Sequence, residues 1–470
     1  MGTNFNLKTL AVAVAAFSVA SMSNAAGLDR SGQDIPAFLQ DGTYAETVYT
    51  YINADVTGYD NAAVRTDDNG YVQGKKIDDI AESYDFFRYG VKTDINDTFS
   101  IGVLYDEPFG AAALYNGENN FVTIDDADAL AQGFITQTAQ GLGISPADLP
   151  IDVSTINSET IDTYINQLKS LPPETDLGVV SAGQATTLLE NAKNLAATAG
   201  EATNVEVRSH SLTGILGMKL GQNKNFQVYG GPVAQRIEAN VKLRGVAYGP
   251  ASGYTANINA SQDYGWLAGV SYTKPEIALQ AALTYRSEID HKTQIGESFD
   301  VGVGNAIEIT TPKSVNLDFQ TGVNPTTLAT AKVRWVPWGD FAITPPNYNE
   351  VSKALTGDDK GLDLVSYDDD QWQVELGLAK RLTPALAVSG NIGWDSGAGN
   401  PVTSLGPIKG YYSAGLGAKY NVTENWAVSA GGKYLWFGDA KGQIPNGDIV
   451  SKFEDNDGYV LGAKISYQSK

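Results

Sequence analysis

This 470-residue chain is poorly equipped for bond-making chemistry. It has no cysteine, which removes thiolate nucleophiles, thiolate metal sites and disulfides. Its two histidines, His210 and His291, are too few for a three-histidine metal site. No Ser/His/Asp set converges from the strand ends read below, so neither an enzyme activity nor a cofactor is expected. Acidic runs at Asp125-Asp126, Asp358-Asp359, Asp368-Asp369-Asp370 and Asp455-Asn456-Asp457-Gly458 fall in connecting segments. The last has a fragment of calcium-loop spacing without the rest. Solvated loop tips and divalent contacts near lipopolysaccharide are the two readings of these runs. Guanidinium groups offer more, because their planar fork fits a carboxylate. Arg208, Arg236, Arg286 and Arg334 occupy strand positions read as facing inwards, and are the candidate anchors for an acidic ligand. Glu206, Glu238 and Glu288 lie within two residues of three of them. Internal ion pairing is therefore the competing role.

The elements that must hold these groups follow from pattern. Net charge is 32 − 54 = −22, which disfavours nucleic acid as a partner. Lys8, an apolar stretch over 10–20 and Ser23-Asn24-Ala25 read as an export signal occupying 1–25. The stretch is too short to span a bilayer. Beyond it, apolar and polar residues alternate nearly everywhere. Tyr459, Leu461, Ala463, Ile465 and Tyr467 form one such face; Trp426, Val428, Ala430, Tyr434 and Trp436 form another. Fourteen such strands can be counted, with a parity switch near Ser209–Ser211 read as a bulge. Short connections at 94–97, 221–225, 274–275, 324–325, 383–384 and 421–425 alternate with long ones at 59–83, 111–203, 245–262, 290–313, 339–370, 396–409 and 439–457.

That alternation predicts an all-β fold: a 14-stranded antiparallel transmembrane β-barrel in the outer membrane of a Gram-negative bacterium. Outer lipid and lipopolysaccharide are then its surroundings. The apolar faces point to lipid and the charged faces inwards. Trp266, Trp335, Trp338, Trp372, Trp394, Trp426 and Trp436 fall near strand ends, as two aromatic girdles would require. A soluble β-sandwich would leave the long and short loops unexplained. The 111–203 connection reads as a helical extracellular insertion. Ser145-Pro146 and the Ser181…Gln184 capping box start its helices. Leu188, Leu189 and Leu195 on its apolar face are candidates for a capture surface, with packing among themselves as the alternative.

Several stretches are similar to the FadL family of outer-membrane transporters for long-chain fatty acids and related hydrophobic compounds (OMPP1/FadL/TodX). They are ALTYRSEI at 282–289, YINADV at 51–56, the span from Trp338 to Phe341, and AGLDRSGQ at 26–33. The resemblance implies capture of a hydrophobic small molecule at extracellular loops, a site inside the lumen, and a monomer. It also implies an N-terminal hatch, here 26–44, which is short and lacks the Asn-Pro-Ala often found there. Phe38 and Leu39 are its candidate substrate-binding residues. The barrel proper is 45–470. A kink in the third strand would open the wall sideways. The residues bear on that point independently: Pro108 has no N–H to donate, and Phe109 and Gly110 follow as apolar lining and flexible joint. A lateral gate at Pro108, Phe109 and Gly110 and a plain bulge at the membrane edge both fit. The alternative function is a diffusion porin for polar solutes; an adhesin displaying 111–203 is a third reading.

Overall fold

The computed structural model describes residues 28–469, so the signal read at 1–25 lies outside the described residues. Alternating side chains let one strand be oily on one face and polar on the other. Such strands run antiparallel around a closed barrel. They are β1 Thr43–Asp55, β2 Tyr84–Asp94, β3 Phe99–Asp106 continued by Gly110–Leu114, β4 Asn204–Leu220 and β5 Phe226–Lys242. There follow β6 Thr255–Lys274, β7 Leu279–Arg286 continued by Ile289–Glu297, β8 Ala306–Thr311 continued by Ser314–Asn324, and β9 Thr327–Val336. The circle is completed by β10 Gln371–Arg381, β11 Leu386–Asp395, β12 Lys409–Asn421, β13 Trp426–Gly438 and β14 Asp457–Ser469. The fourteen expected strands are all present. The first and last zip together from Thr43↔Ser469 to Asp55↔Asp457, which leaves no open edge between them.

Val103, Leu216, Val270, Leu376, Ile392, Leu416, Leu461 and Ile465 stand exposed on the outer wall. A contiguous apolar band of this kind belongs in lipid rather than water. Aromatic pairs edge it: Trp335–Trp372 at 6.3 Å on the long-loop side, and Trp426–Tyr467 at 5.1 Å and Phe226–Tyr272 at 4.8 Å on the short-turn side. Trp338 corrects the girdle expectation, because it is fully buried inside the barrel.

Three further expectations change. The connection expected at 290–313 is largely a β-hairpin, built from the upper parts of β7 and β8. Residues 146–148 form a single 3-10 turn rather than a longer helix, and Ser145 makes no side-chain cap. The parity switch at Ser209–Ser211 is not a bulge in β4. Its register with β5 is unbroken from Asn204↔Lys242 to Thr213↔Val233. β4 and β5 are 17 residues long and β6 is 20, whereas about 10 residues cross a bilayer. Each outer face turns from apolar to ionic where the strand rises above the band. Arg208 and Arg236 therefore sit on the outer face, half-exposed, against Glu206 and Glu238 at 2.9 and 3.4 Å. They are not lumen anchors.

The insertion forms three helices, α1 Ala127–Gly141, α2 Ile161–Lys169 and α3 Ala182–Ala196, and the Ser181/Gln184 capping box closes as read. They bury Ile135, Ile156, Ile165 and Leu189 in a core of their own.

Lipid contact makes a sharp expectation. Leu416 is 75 % exposed, so on a water-facing surface Leu416→Arg would shift stability by no more than about 0.5 kcal/mol. In a bilayer it is expected to cost about 2–4 kcal/mol. Folding equilibria in lipid vesicles distinguish the two outcomes.

Candidate functional site

The hatch is residues 28–42, threaded through the lumen. Its Ile35, Ala37, Phe38 and Leu39 pack on Leu104 of β3, Ile215 of β4 and Tyr229 of β5. The Phe38 ring is seated over two glycines. A Cβ on Gly102 or Gly217 would lie 2.7 or 2.9 Å from it. Tyr229 stands 5.7 Å from the same ring.

Charges lock the hatch to β9 on the opposite wall and to β2 beside the third strand. Arg334 of β9 donates from Nε and Nη2 to the Asp29 carboxylate at 2.6 and 3.0 Å, and from Nη1 to Asn316 Oδ1 at 2.9 Å. Asn316 in turn donates to Gly32 O, and Ser314 to Gln33 Oε1 at 2.7 Å. Asp34 accepts from Arg88 Nη1 at 2.6 Å and from Lys332. Burial opposes ionisation of Asp34, but the two cations prevail and hold its pKa down at about 2. Lys92 grips the far end, bonding Gln40 O at 2.6 Å.

On the other side the hatch meets the third strand. β3 pairs with β4 at Asp106↔Ser211 and again at Gly110↔Arg208, so residues 107–109 face only 209 and 210. This is a bulge of one extra residue. Ser209 fills it, donating to Phe109 O at 2.5 Å and accepting from Phe109 N at 2.7 Å. Towards β2 the effect is larger. That ladder runs from Asp94↔Ser100 only to Tyr89↔Tyr105. Pairing resumes at one bridge, Ala81↔Ala113. The β2 edge from Tyr84 to Arg88 has no ladder partner in β3.

The freed β3 backbone turns inwards and pairs with the hatch instead. Arg30 N donates to Pro108 O and Gly110 N donates to Leu28 O, both at 2.7 Å. Ser31 Oγ adds a bond to Asp106 at 2.9 Å. Gly110 leaves room for the Arg30 guanidinium, whose carbon would lie 2.4 Å from a Cβ at this position. That guanidinium lies 3.7 Å over the Tyr84 ring. The wall between β2 and β3 is thus unzipped as a ladder and stoppered from within. β6 and β7 also part between Leu267↔Arg286 and Ile258↔Ile295. There, side chains span the edges: Trp266 N donates to Ser287 Oγ and Thr293 Oγ1 to Asn259 O, each at 3.0 Å. His291, fully buried nearby, bonds Gln235 at 3.0 Å and takes a structural place.

Phe109 projects from the bulge into an apolar chamber above the hatch, lined also by Leu28, Ile237, Ile258, Ile309 and Trp338. Its ring meets Trp338 edge-on at 5.7 Å. An unbroken apolar core rises from there to the long-loop end of the barrel. Tyr254 carries it upwards, 4.9 Å from Phe299 and 5.1 Å from Tyr348. It ends at a groove of about 210 Å³ lined by Tyr248, Phe299, Tyr348, Leu355 and Ile444.

The structure therefore brings Pro108, Phe109 and Gly110 together with the hatch. Arg334 is committed to the hatch. Arg286 is buried, with Nη1 3.2 Å from Thr213 Oγ1. Leu189 is fully buried in the insertion's core and Leu188 packs against that core, which places both inside the helical unit rather than on a capture face. Leu195 rests beside Gly253 of a rim loop. Phe38 is fully buried among lumen side chains, and Leu39 faces a cavity of about 110 Å³ below the hatch. Sequence reading missed Leu28, Arg30, Ser209 and Trp338 as members of the site. Two clues were present, the AGLDRSGQ segment and the span beginning at Trp338.

No family model matches the sequence, and no curated protein matches it. Solved structures do. A Pseudomonas aeruginosa FadL homologue superposes with a TM-score of 0.60 at 13 % identity, over 96 % of each chain. The chain has the FadL fold. The P. putida toluene transporter TodX aligns over 92 % of this chain and 91 % of its own, with a TM-score of 0.51 at 10 % identity. Here the FadL fold carries a hatch held by ion pairs, backbone pairing and apolar packing together.

Two outcomes test that lock. Arg334→Ala leaves a buried carboxylate uncompensated, at a cost of about 3–5 kcal/mol. Protease cutting within 28–42 is expected to rise sharply in the folded barrel. Asp34 has its pKa depressed from 3.8 to about 2, so its contribution is full above pH 4 and is lost as pH falls through 2. Hatch cutting by an acid protease should grow over that window in the parent and be flat in Asp34→Asn.

Proposed function

We propose that this chain moves hydrophobic molecules into the outer membrane of a Gram-negative bacterium. They are captured at the loop groove, pass down the apolar core to the chamber, and leave sideways between β2 and β3. One observation carries the reading. Phe109 belongs to the segment whose backbone has left the wall, and its side chain forms the chamber's wall. Whatever fills the chamber presses on the residue that would have to move for the wall to open. The names of the superposed proteins, a FadL homologue and a toluene transporter, support a hydrophobic cargo.

Capture is assigned to the groove rather than to the helical insertion, because the groove opens onto the continuous core and Leu189 does not. A diffusion porin needs a continuous hydrated path. The hatch packs Ile35 and Phe38 wholly buried across the lumen, and this favours the transporter. Arg88, Lys332, Lys433 and Lys464 with their acids make the lumen wall ionic. A greasy molecule gains by leaving through the seam rather than crossing that zone. The barrel acts as a monomer bathed by lipid and lipopolysaccharide.

The seam can be tested because the chain has no cysteine of its own. Phe87→Cys with Glu107→Cys, bridged by a short thiol-specific crosslinker, is expected to cut uptake of a hydrophobic substrate at least tenfold, with recovery when a cleavable linker is reduced. Uptake unaffected by a complete crosslink would rule out this exit. Pro108→Val restores the missing donor and should lower uptake while the barrel still folds.

A further inference from the structure

We infer that the chamber beside Phe109 is a site for neutral hydrocarbons, alkyl or aromatic, and excludes carboxylates. The inference rests on the transport reading and narrows its cargo. Beyond the rings of Phe109, Trp338 and Phe341, the chamber's lining is mostly aliphatic, as at Leu28, Ile237, Ile258 and Ile309, with the hydroxyls of Ser209 and Thr311 its polar members.

Among the described residues, the side-chain donors lining it are already committed. Ser209 gives its proton to Phe109 O. Thr311 donates to Gln235 Oε1 at 2.6 Å. Trp338 Nε1 donates to Gln371 Oε1 at 2.8 Å. Glu238, whose backbone borders the chamber, turns its carboxylate towards Arg236 on the outer face.

Cations are equally unavailable to a guest. Arg334 is held by Asp29, Asn316 and Gln33. Arg208 and Arg236 are outside the wall. Arg286 and Arg30 do not line the chamber, and Arg30 lies on the Tyr84 side of Gly110. A carboxylate entering here would shed its water and find no donor, which is strongly unfavourable. A hydrocarbon needs none, and dry apolar cavities take up molecules such as benzene. The chamber is small as it stands, about 20 Å³, so the guest makes room by turning Phe109 or Trp338. The first of those movements disturbs the bulge.

Trp338 supplies the readout, being the one fully buried tryptophan of the seven. Full-length protein in detergent micelles is titrated with toluene or with decanoate at pH 8, where the acid is ionised. The difference in emission between the parent and Trp338→Phe reports chamber occupancy, and retention of radiolabelled toluene gives a second readout. Toluene is expected to give a saturable signal, with decanoate competing at least 100-fold more weakly. Ile309→Lys, which adds a cation to the wall, should narrow that gap to tenfold or less. Decanoate competing at concentrations similar to toluene would overturn the inference. If Arg30→Ala then removed that binding, the true anchor would be Arg30. Uptake of decanoate with no uptake of toluene would also overturn it, yet leave hydrophobic transport standing. Failure to bind or take up either probe would bring down both readings.

Discussion

A backbone amide facing hydrocarbon must be bonded to another part of the protein, and the architecture depends on that single constraint. It is why the wall closes fully between β1 and β14, and why a break in the ladder has to be made good from inside. At Pro108 there is no N–H to offer, and the extra residue throws β3 out of step with both neighbours. The hatch answers by lending its own backbone through Leu28 and Arg30. The plug and the weak point in the wall are therefore one structure. The hatch cannot shift at this end without exposing unpaired amides, and the kink cannot straighten without losing its internal partner.

The hatch is held at its two sides by different forces. Against β3 and β4 it relies on backbone pairing and on the seating of Phe38. Against β8 it relies on neutral hydrogen bonds from Ser314 and Asn316, and against β9 on buried ion pairs. Buried pairs of this sort are worth little against an apolar alternative, but they are unforgiving when one partner is lost. They specify position more than they add stability. For a short segment with few apolar residues, position is what is needed. Asp29 and Asp34 point to β9 while Arg30 and Ser31 between them are turned towards β3, so the ring of contacts draws both walls onto one strap.

Above the strap the lumen changes character. Below it, lysines, arginines and carboxylates line the wall; above it, aliphatic and aromatic side chains run without interruption to the loop groove. The hatch marks the frontier between an apolar half and an ionic half. The unpaired stretch between β2 and β3 lies at that level, beside the ring of Phe109. In the proposed transport route a greasy molecule would follow the apolar half downwards and step sideways to lipid, with the charged half as the barrier to going straight on.

Much of this was legible in the residues. Period-two alternation, the even strand count and the alternation of short and long connections stem from local chemistry, which operates wherever the strands end up. Pro108 likewise announces its own effect, since a missing donor is missing in any fold. Direction and partnership are another matter. Arg208 and Arg334 are indistinguishable as strand arginines; one is outside because β4 outruns the bilayer, the other is spent on Asp29, some three hundred residues away in the chain. Trp338 resembles the girdle tryptophans until the backbone after β9 turns inwards and buries it. The sequence by itself determined that there would be a lipid-facing barrel with a flaw in its third strand. Only the tertiary structure decided which side chains fill that flaw and which charges remain free, because pairing across a lumen depends on distances between strands that no local pattern encodes.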